Sequence, residues 1–363
     1  MLSNGPRSYA AGATIVAMSA TARFGENLAI LAHDWFPDEG KMMKGVLRYG
    51  PYTFTGIVDH NHAGESSGDY LPTLPDVPIV ERVTDITDPT DALLIAERPE
   101  DGTLTDLQRS EIEAALSRGW DVLSGLHQKL SEQPAFRTLA EQHGATIHEL
   151  RHPPDETVIA EGIAGNADAR VILTAGTDCR QGKMTTTMEL VEAARARGID
   201  AGAVATGQTG IAITGRGVCI DRTPADFTAG FVERLVLEAA EQYDLVVIEG
   251  QASILHPAYA ADTIGLLHGA MPDGIVLCHH ATRSAFRNWE TFDLPPLDRY
   301  LDAYQAVTAP LFSTEVVGGS LNTSGLDSDA DARAAIDSFE SALGAPATDV
   351  IRFDPGSLLD AIV

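Results

Sequence analysis

Lysine is the scarcest charged residue in this chain: 363 residues hold only four, Lys41, Lys44, Lys129 and Lys183. All basic residues together number 25 against 52 acidic ones, a formal charge of −27. Such a surface argues against nucleic acid and anionic membrane as partners, since both need clustered Lys and Arg. The acid is spread along the chain rather than gathered in a tail. Apolar periodic segments fill most of the length, which argues against a disordered polyanion. A soluble protein of a salt-loaded, halophilic cytoplasm is expected instead. There, salt near 1 M screens repulsion over about 3 Å, and surface carboxylates keep the protein dispersed. Cysteine is also rare, and Cys179, Cys219 and Cys278 form no CxxC pair. That argues against a disulfide framework or a structural zinc site. The 11 histidines show no spacing that demands a metal, and none is assigned. No apolar run reaches membrane-spanning length. Residues 9–18 are mildly apolar and run into Ser19-Ala20-Thr21-Ala22, but Gly12 and small side chains make a weak leader core. Residues 1–25 are read as a flexible extension.

What is present is an alternation of strands and helices, the pattern of α/β folds with mostly parallel sheets. Strands are expected at 28–31, 54–58, 92–96 and 121–123. Helices are expected from about 40, over 105–118 behind a Thr105/Gln108 capping box, and over 131–143. This rhythm over residues 26–150 is Rossmann-like, yet no G-x-G-x-x-G follows its first strand, so dinucleotide binding is not expected there. Asp59 stands where a ribose-binding acid would, and is read as a strand-end carboxylate. Residues 151–168, with Pro153-Pro154, suit a linker. A second α/β domain fills 169–363, with strands at 171–174, 201–205, 245–248, 275–277 and 313–317. Its helices are expected at 185–197, 224–241 and 329–343.

Ligands of such sheets sit beyond the carboxyl ends of the strands, where three motifs fall. The first is a phosphate-binding loop, Gly176-Thr177-Asp178-Cys179-Arg180-Gln181-Gly182-Lys183-Met184-Thr185-Thr186. Its glycines let backbone N–H groups turn toward phosphate oxygens, Lys183 adds a point charge, and a helix N-terminus follows. It departs from G-x-x-x-x-G-K-[ST], because five residues separate the glycines and Met184 stands between Lys183 and the first threonine. One extra helical residue rotates that hydroxyl by about 100°, away from where it would hold Mg²⁺. Diphosphate cradling survives, while metal-assisted attack on a γ-phosphate is disfavoured. An unbroken diphosphate carrier such as coenzyme A fits better than ATP with Mg²⁺. The second motif, Ala205-Thr206-Gly207-Gln208-Thr209-Gly210, offers glycines, an amide and a hydroxyl to a ligand. Arg216, Asp221 and Arg222 follow it, and Asp221 is the candidate proton acceptor. The third, Val246-Val247-Ile248-Glu249-Gly250-Gln251, ends a strand on a carboxylate facing the same site. His256, just beyond, is a candidate base or carboxylate partner. Cys179 is weighed as an acyl acceptor and read as a loop residue.

Taken together, these motifs resemble the D-glutamate N-acetyltransferase family, formerly a P-loop domain family of unknown function. The resemblance adds His256-Pro257-Ala258-Tyr259, Leu266-Leu267-His268-Gly269, Gly125-Leu126-His127 and Leu321-Asn322-Thr323, and covers roughly residues 26–360. The stretch Ala96-Glu97-Arg98-Pro99 is more charged than the family's glycine-rich turn. The resemblance implies a Rossmann-like N-terminal domain and a P-loop NTPase-like C-terminal domain. It implies acetyl transfer from acetyl-CoA to the amine of D-glutamate or a similar small amino acid, within D-glutamate catabolism, and a possible homodimer. On this reading residues 176–186 hold the carrier and Asp221, Glu249 and His256 take part in catalysis. Gln208, Thr209, Gly210, Arg216, Arg222 and Gln251 contact the acceptor. The competing readings are an ATP-dependent ligase or kinase resembling dethiobiotin synthetase, and a non-catalytic nucleotide-binding module.

Overall fold

Short runs of Val, Ile, Leu and Ala, buried on both faces, form the central parallel strands of two sheets. The computed structural model describes residues 20–97 and 104–363, and so leaves out residues 1–19 of the expected extension, and Arg98 and Pro99. In the N-terminal domain the strands are β1 (Asn27–Leu31), β2 (Thr53–Val58), β3 (Ile79–Val80), β4 (Ala92–Ile95), β5 (Asp121–Ser124) and β6 (Ile147–Glu149). They lie in the order β3-β2-β1-β4-β5-β6, all parallel. This is the Rossmann order, whose crevice opens where the chain reverses direction between β1 and β4.

Helix α1 (Ala20–Phe24) precedes this sheet, and α2 (Lys41–Tyr49), α3 (Asp106–Ser117) and α4 (Pro134–His143) cover it. The capping box holds: Thr105 accepts from the Gln108 N–H at 3.1 Å, and Gln108 accepts from the Thr105 N–H at 2.9 Å. Residues 20–25 are not a loose end. Phe24 is buried against His148, and Arg23 donates to the Gly215 carbonyl at 2.7 Å.

The C-terminal sheet contains β7 (Arg170–Gly176), β8 (Ala201–Val204), β9 (Leu245–Glu249), β10 (Gly274–His280), β13 (Glu315–Asn322) and β14 (Ala347–Thr348). Its order is β14-β13-β10-β7-β9-β8, again all parallel. The hairpin of β11 (Ala285–Phe286) and β12 (Trp289–Asp293) stands apart from it. The helices are α5 (Lys183–Ala196), α6 (Gln208–Thr214), α7 (Ala225–Ala240), α8 (Ala260–Ala270), α9 (Leu297–Thr308), α10 (Asp329–Leu343) and α11 (Gly356–Ile362). The segment expected to be a linker is strapped to α7, where Glu233 accepts from the N–H groups of Glu161 and Ile163 at 2.6 Å each.

One hydrophobic cluster spans both domains, joining Met43, Val46 and Tyr52 to Met184, Met188, Ile211 and Ile213. Tyr49 donates to Glu189 at 2.7 Å, holding α2 to α5, and Tyr52, between α2 and β2, donates to the Ala212 carbonyl of α6 at 2.5 Å. Among the described residues no helix is long and apolar enough to cross a membrane.

Candidate active site

The P-loop leaves the carboxyl end of central strand β7 and feeds α5. Arg180 (φ 55°) and Gly182 (φ 102°) take the left-handed backbone that turns successive N–H groups inward. Lys183, buried at the loop's centre, donates to the carbonyls of Asp178 at 2.7 Å and Ala252 at 2.9 Å. Burial lowers its pKa below the ordinary lysine value. A Cβ on Gly250 would lie 1.8 Å from the Thr174 carbonyl oxygen, so that position needs glycine, while one on Gly176 would lie 2.8 Å from the Lys183 Nζ and push the ammonium aside.

The loop faces a cleft of about 560 Å³ between the two domains. Cys179, Arg180, Gln181, Gly182, Lys183, Met184 and Thr185 line one wall, with Glu249, Gly250, Gln251 and Arg287. The other wall comes from α2 and the turn before it: Asp38, Glu39, Lys41, Lys44, Gly45, Arg48 and Tyr49. Six cationic side chains thus face three carboxylates, in a chain where acids outnumber bases two to one. Three of its four lysines meet here. The cleft is built for an anion.

Met184 fills the position where a P-loop hydroxyl would follow the lysine. It is buried in the cluster between the domains, so close to α2 that a Cβ on Gly45 would lie 3.0 Å from its Cε. That burial contributes about 1.5–3 kcal/mol to domain cohesion. Thr185 lines the cleft, whereas Thr186 donates to Ser320 at 2.8 Å and Thr187 to the Lys183 carbonyl at 3.0 Å.

Glu249 ends β9 on the cleft floor, where its carboxylate accepts from the Thr206 N–H at 3.2 Å. Burial raises its pKa above the ordinary glutamate range, against the opposing pull of Lys41. Lys41 reaches the cleft's water yet is walled in by protein, which lowers its pKa; Glu249 works the other way. Gly210 is the packing partner of this carboxylate: a Cβ there would sit 2.5 Å from the Glu249 Oε2 and 2.8 Å from the Ala205 Cβ. Gly210→Ala is expected to displace Glu249 and lower turnover about tenfold or more, with ligand affinity within about twofold. Steady-state rates beside calorimetric titration check this; unchanged turnover would show that the position of Glu249 is immaterial.

Several expected site residues lie elsewhere. Asp221 is paired with Arg151 and accepts from the Cys219 thiol at 3.0 Å, and it is not among the residues lining the cleft. His256 is buried, and its Nδ1 accepts from the N–H groups of Ala258 and Tyr259 at 3.1 Å each. Its Nε2 therefore carries the proton and faces Asp178 at 3.5 Å, so it serves the turn rather than a ligand. Arg216 lies over the Tyr243 ring on the outer surface, and Arg222 lines a separate groove beside Lys129 and His152. Gln208 meets the Cys219 thiol and packs on Gly125, and Thr209 is buried against Gly45.

Thr177 and Asp178 form the base of the loop rather than its lining. Thr177 contacts His279 at 2.8 Å, and Asp178 accepts from Arg283 and the Arg287 N–H at 2.9 Å each. Lys41, Lys44, Arg48, Arg287 and Asn322 also line the cleft, and no phosphate-loop or strand-end motif of the sequence marks them as site residues. The rarity of lysine was the signal available for the first two.

Comparison with known proteins places the chain. Residues 158–359 match a domain of unknown function, DUF1611, described as a P-loop domain, and residues 60–153 match its Rossmann-like N-terminal partner. A D-glutamate N-acetyltransferase from Tritonibacter scottomollicae is 37% identical over 276 residues, 74% of this chain and 80% of that protein. A second protein of that name, from a Pseudoalteromonas species, is 38% identical over 216 residues, 59% of this chain and 64% of its own length. The crystal structure of a DUF1611 family protein from Anabaena variabilis superposes with a TM-score of 0.87 at 36% identity, covering 93% of this chain and 99% of that one.

Proposed function

This chain belongs to the DUF1611 family, whose Rossmann-like and P-loop domains it carries in that order, and from that premise we propose that it is an acetyl-CoA-dependent D-glutamate N-acetyltransferase. The observation that carries the reading is the gathering of Lys41, Lys44 and Lys183 around one cleft in a strongly acidic protein. The names of its curated relatives supply the acceptor and its hand.

Acetyl-CoA, when bound, supplies the thioester acetyl group. Lys183, Arg180 and the loop N–H groups hold phosphate oxygens, while Met184 denies Mg²⁺ the hydroxyl that nucleotide hydrolysis uses. The α2 cations Lys41, Lys44 and Arg48 take the remaining negative charge, including the acceptor's carboxylates. A carboxylate drawn to Lys41 brings the neighbouring ammonium toward Glu249, with which Lys41 interacts across the cleft. Glu249 takes one ammonium proton, the amine forms its bond to the acyl carbon, and the carbon–sulfur bond breaks as the nitrogen's second proton passes to the departing sulfur, which leaves as the thiol. Glu249 replaces Asp221 as the proton acceptor in this reading. The charge balance supports a salt-rich cytoplasm as the setting.

The test runs in concentrated salt. Acetyl-CoA with D-glutamate is expected to release free thiol and form N-acetyl-D-glutamate without ATP. Thiol release that ignores the amino acid, or phosphate release that needs ATP and Mg²⁺, sinks the proposal and favours a P-loop ligase or kinase.

A further inference from the structure

Histidines and carboxylates meet at a second place, the carboxyl ends of β1, β2 and β4, where the N-terminal sheet changes direction. His33 follows β1, Asp59 and His60 follow β2, and Glu97 follows β4. We propose that His33, His60 and Asp59 bind a divalent transition-metal ion.

The geometry of the two imidazoles carries the case. The Nδ1 atoms of His33 and His60 are 3.2 Å apart. On the far side of each ring, Nε2 faces a carboxylate: Asp34 at 3.3 Å from His60, and Glu111 at 4.0 Å from His33. On His60 this is the arrangement that sets the tautomer of metal ligands, with the proton on the carboxylate side; on His33 the His60 N–H reaches Nδ1 at 3.2 Å, which leaves that nitrogen unprotonated. With those tautomers the two Nδ1 lone pairs share only the His60 N–H, and a cation between them would take its place. Bonds of 2.0–2.1 Å in tetrahedral geometry set ligand nitrogens about 3.3 Å apart, close to the observed spacing. A carboxylate oxygen of Asp59 completes a group whose ligand atoms lie within 4.8 Å of one another. His62 Nδ1 holds the Asp59 Oδ2 at 2.5 Å, and the Asp34 N–H meets its Oδ1 at 3.0 Å.

Burial and charge point the same way. His33 is 3% exposed, and its Nε2 has no hydrogen-bond partner among the described residues. Asp59 and Glu111 are fully buried. Of these carboxylates, Glu111 meets a permanent cation in Arg82, and an ion at the histidines would balance the rest. Nitrogen donors with one carboxylate suit zinc, cobalt or iron rather than Mg²⁺ or Ca²⁺. A cavity of about 490 Å³ lined by His33, Asp34, Trp35 and Gln108 adjoins the group and leaves room for water or a small oxygen donor. A rival trio, Asp178, Cys179 and His256, lies in the P-loop. The His256 Nδ1 there is engaged by two backbone N–H groups and Asp178 is already paired with Arg283, which makes the trio a poor ligand set.

Untagged full-length protein, stripped with chelator, would be titrated with Co²⁺ and followed by visible absorption and by metal content after dialysis. One equivalent is expected, without a thiolate-to-cobalt charge-transfer band. His60→Gln, at an exposed position that leaves the fold intact, should weaken binding about 100-fold or more, and His62→Asn about tenfold. Cys179→Ser should bind as wild type does. The proposal fails if no ion is retained, if His60→Gln binds as tightly as wild type, or if a charge-transfer band appears and is lost in Cys179→Ser.

Discussion

Replacing Glu249 with Gln is expected to lower turnover by about 10²- to 10⁴-fold while leaving acetyl-CoA affinity within about threefold. The amide keeps the shape of the carboxylate but cannot take a proton. Its surroundings are also undisturbed at the phosphate end, since the loop is held separately by Asp178, Arg283 and the Arg287 N–H. The pH profile gives a second readout. Burial raises the pKa of Glu249, so the base form is lost on acidification at a higher pH than the about 4.3 of an ordinary glutamate. In wild type kcat/KM should rise with pH through that raised value and then level off. In Glu249→Gln the acid limb should disappear with the activity. Near-wild-type turnover in the variant would remove Glu249 from the mechanism.

The second large effect is expected at Lys183. Its ammonium is fixed at the loop's centre by two carbonyls and is the buried cation of the cleft wall. A charge-assisted hydrogen bond contributes about 1.5–3 kcal/mol, so Lys183→Ala should weaken acetyl-CoA binding about 10- to 150-fold. Calorimetric titration measures it, with a melting curve to show that the domains stay folded. Lys44→Ala, at the solvent side of α2, should lose less, because water and salt already screen that charge. Equal affinities for wild type and Lys183→Ala would place the anion elsewhere.

Local patterns were legible in the sequence wherever one strand and its following turn carry the information. The strands β1, β2, β4, β5, β7, β8, β9 and β10 were found as apolar runs, and the P-loop follows β7 as expected. The edge strands β3 and β14 are two residues each, too short for any period to show. Strand β13 lies further along than the expected 313–317, because its glycines Gly318 and Gly319 interrupt the apolar run.

The site itself was half legible. The loop and Glu249 lie on neighbouring strands of one domain, so both are motifs of the chain. Lys41 and Lys44 reach the cleft only because α2 docks on α5 and α6, Gly45 against Met184 and Thr209 and Tyr49 on Glu189, a contact that no local pattern encodes. Arg216 and His256 lay close in sequence to the right strand ends, but an aromatic ring holds one and a turn holds the other. No spacing in the sequence marks the histidine pair of the N-terminal domain, for the same reason. Its members are 27 residues apart and are joined by strand pairing.

The central claim is that the cleft between the domains holds an unbroken diphosphate carrier rather than a hydrolysed nucleotide. Titration of the full chain in concentrated salt with coenzyme A, and separately with ATP and Mg²⁺, tests it most directly. One equivalent of coenzyme A should bind without Mg²⁺, and Lys183→Ala should weaken that binding. Tight Mg²⁺-dependent binding of ATP with no measurable uptake of coenzyme A would contradict it.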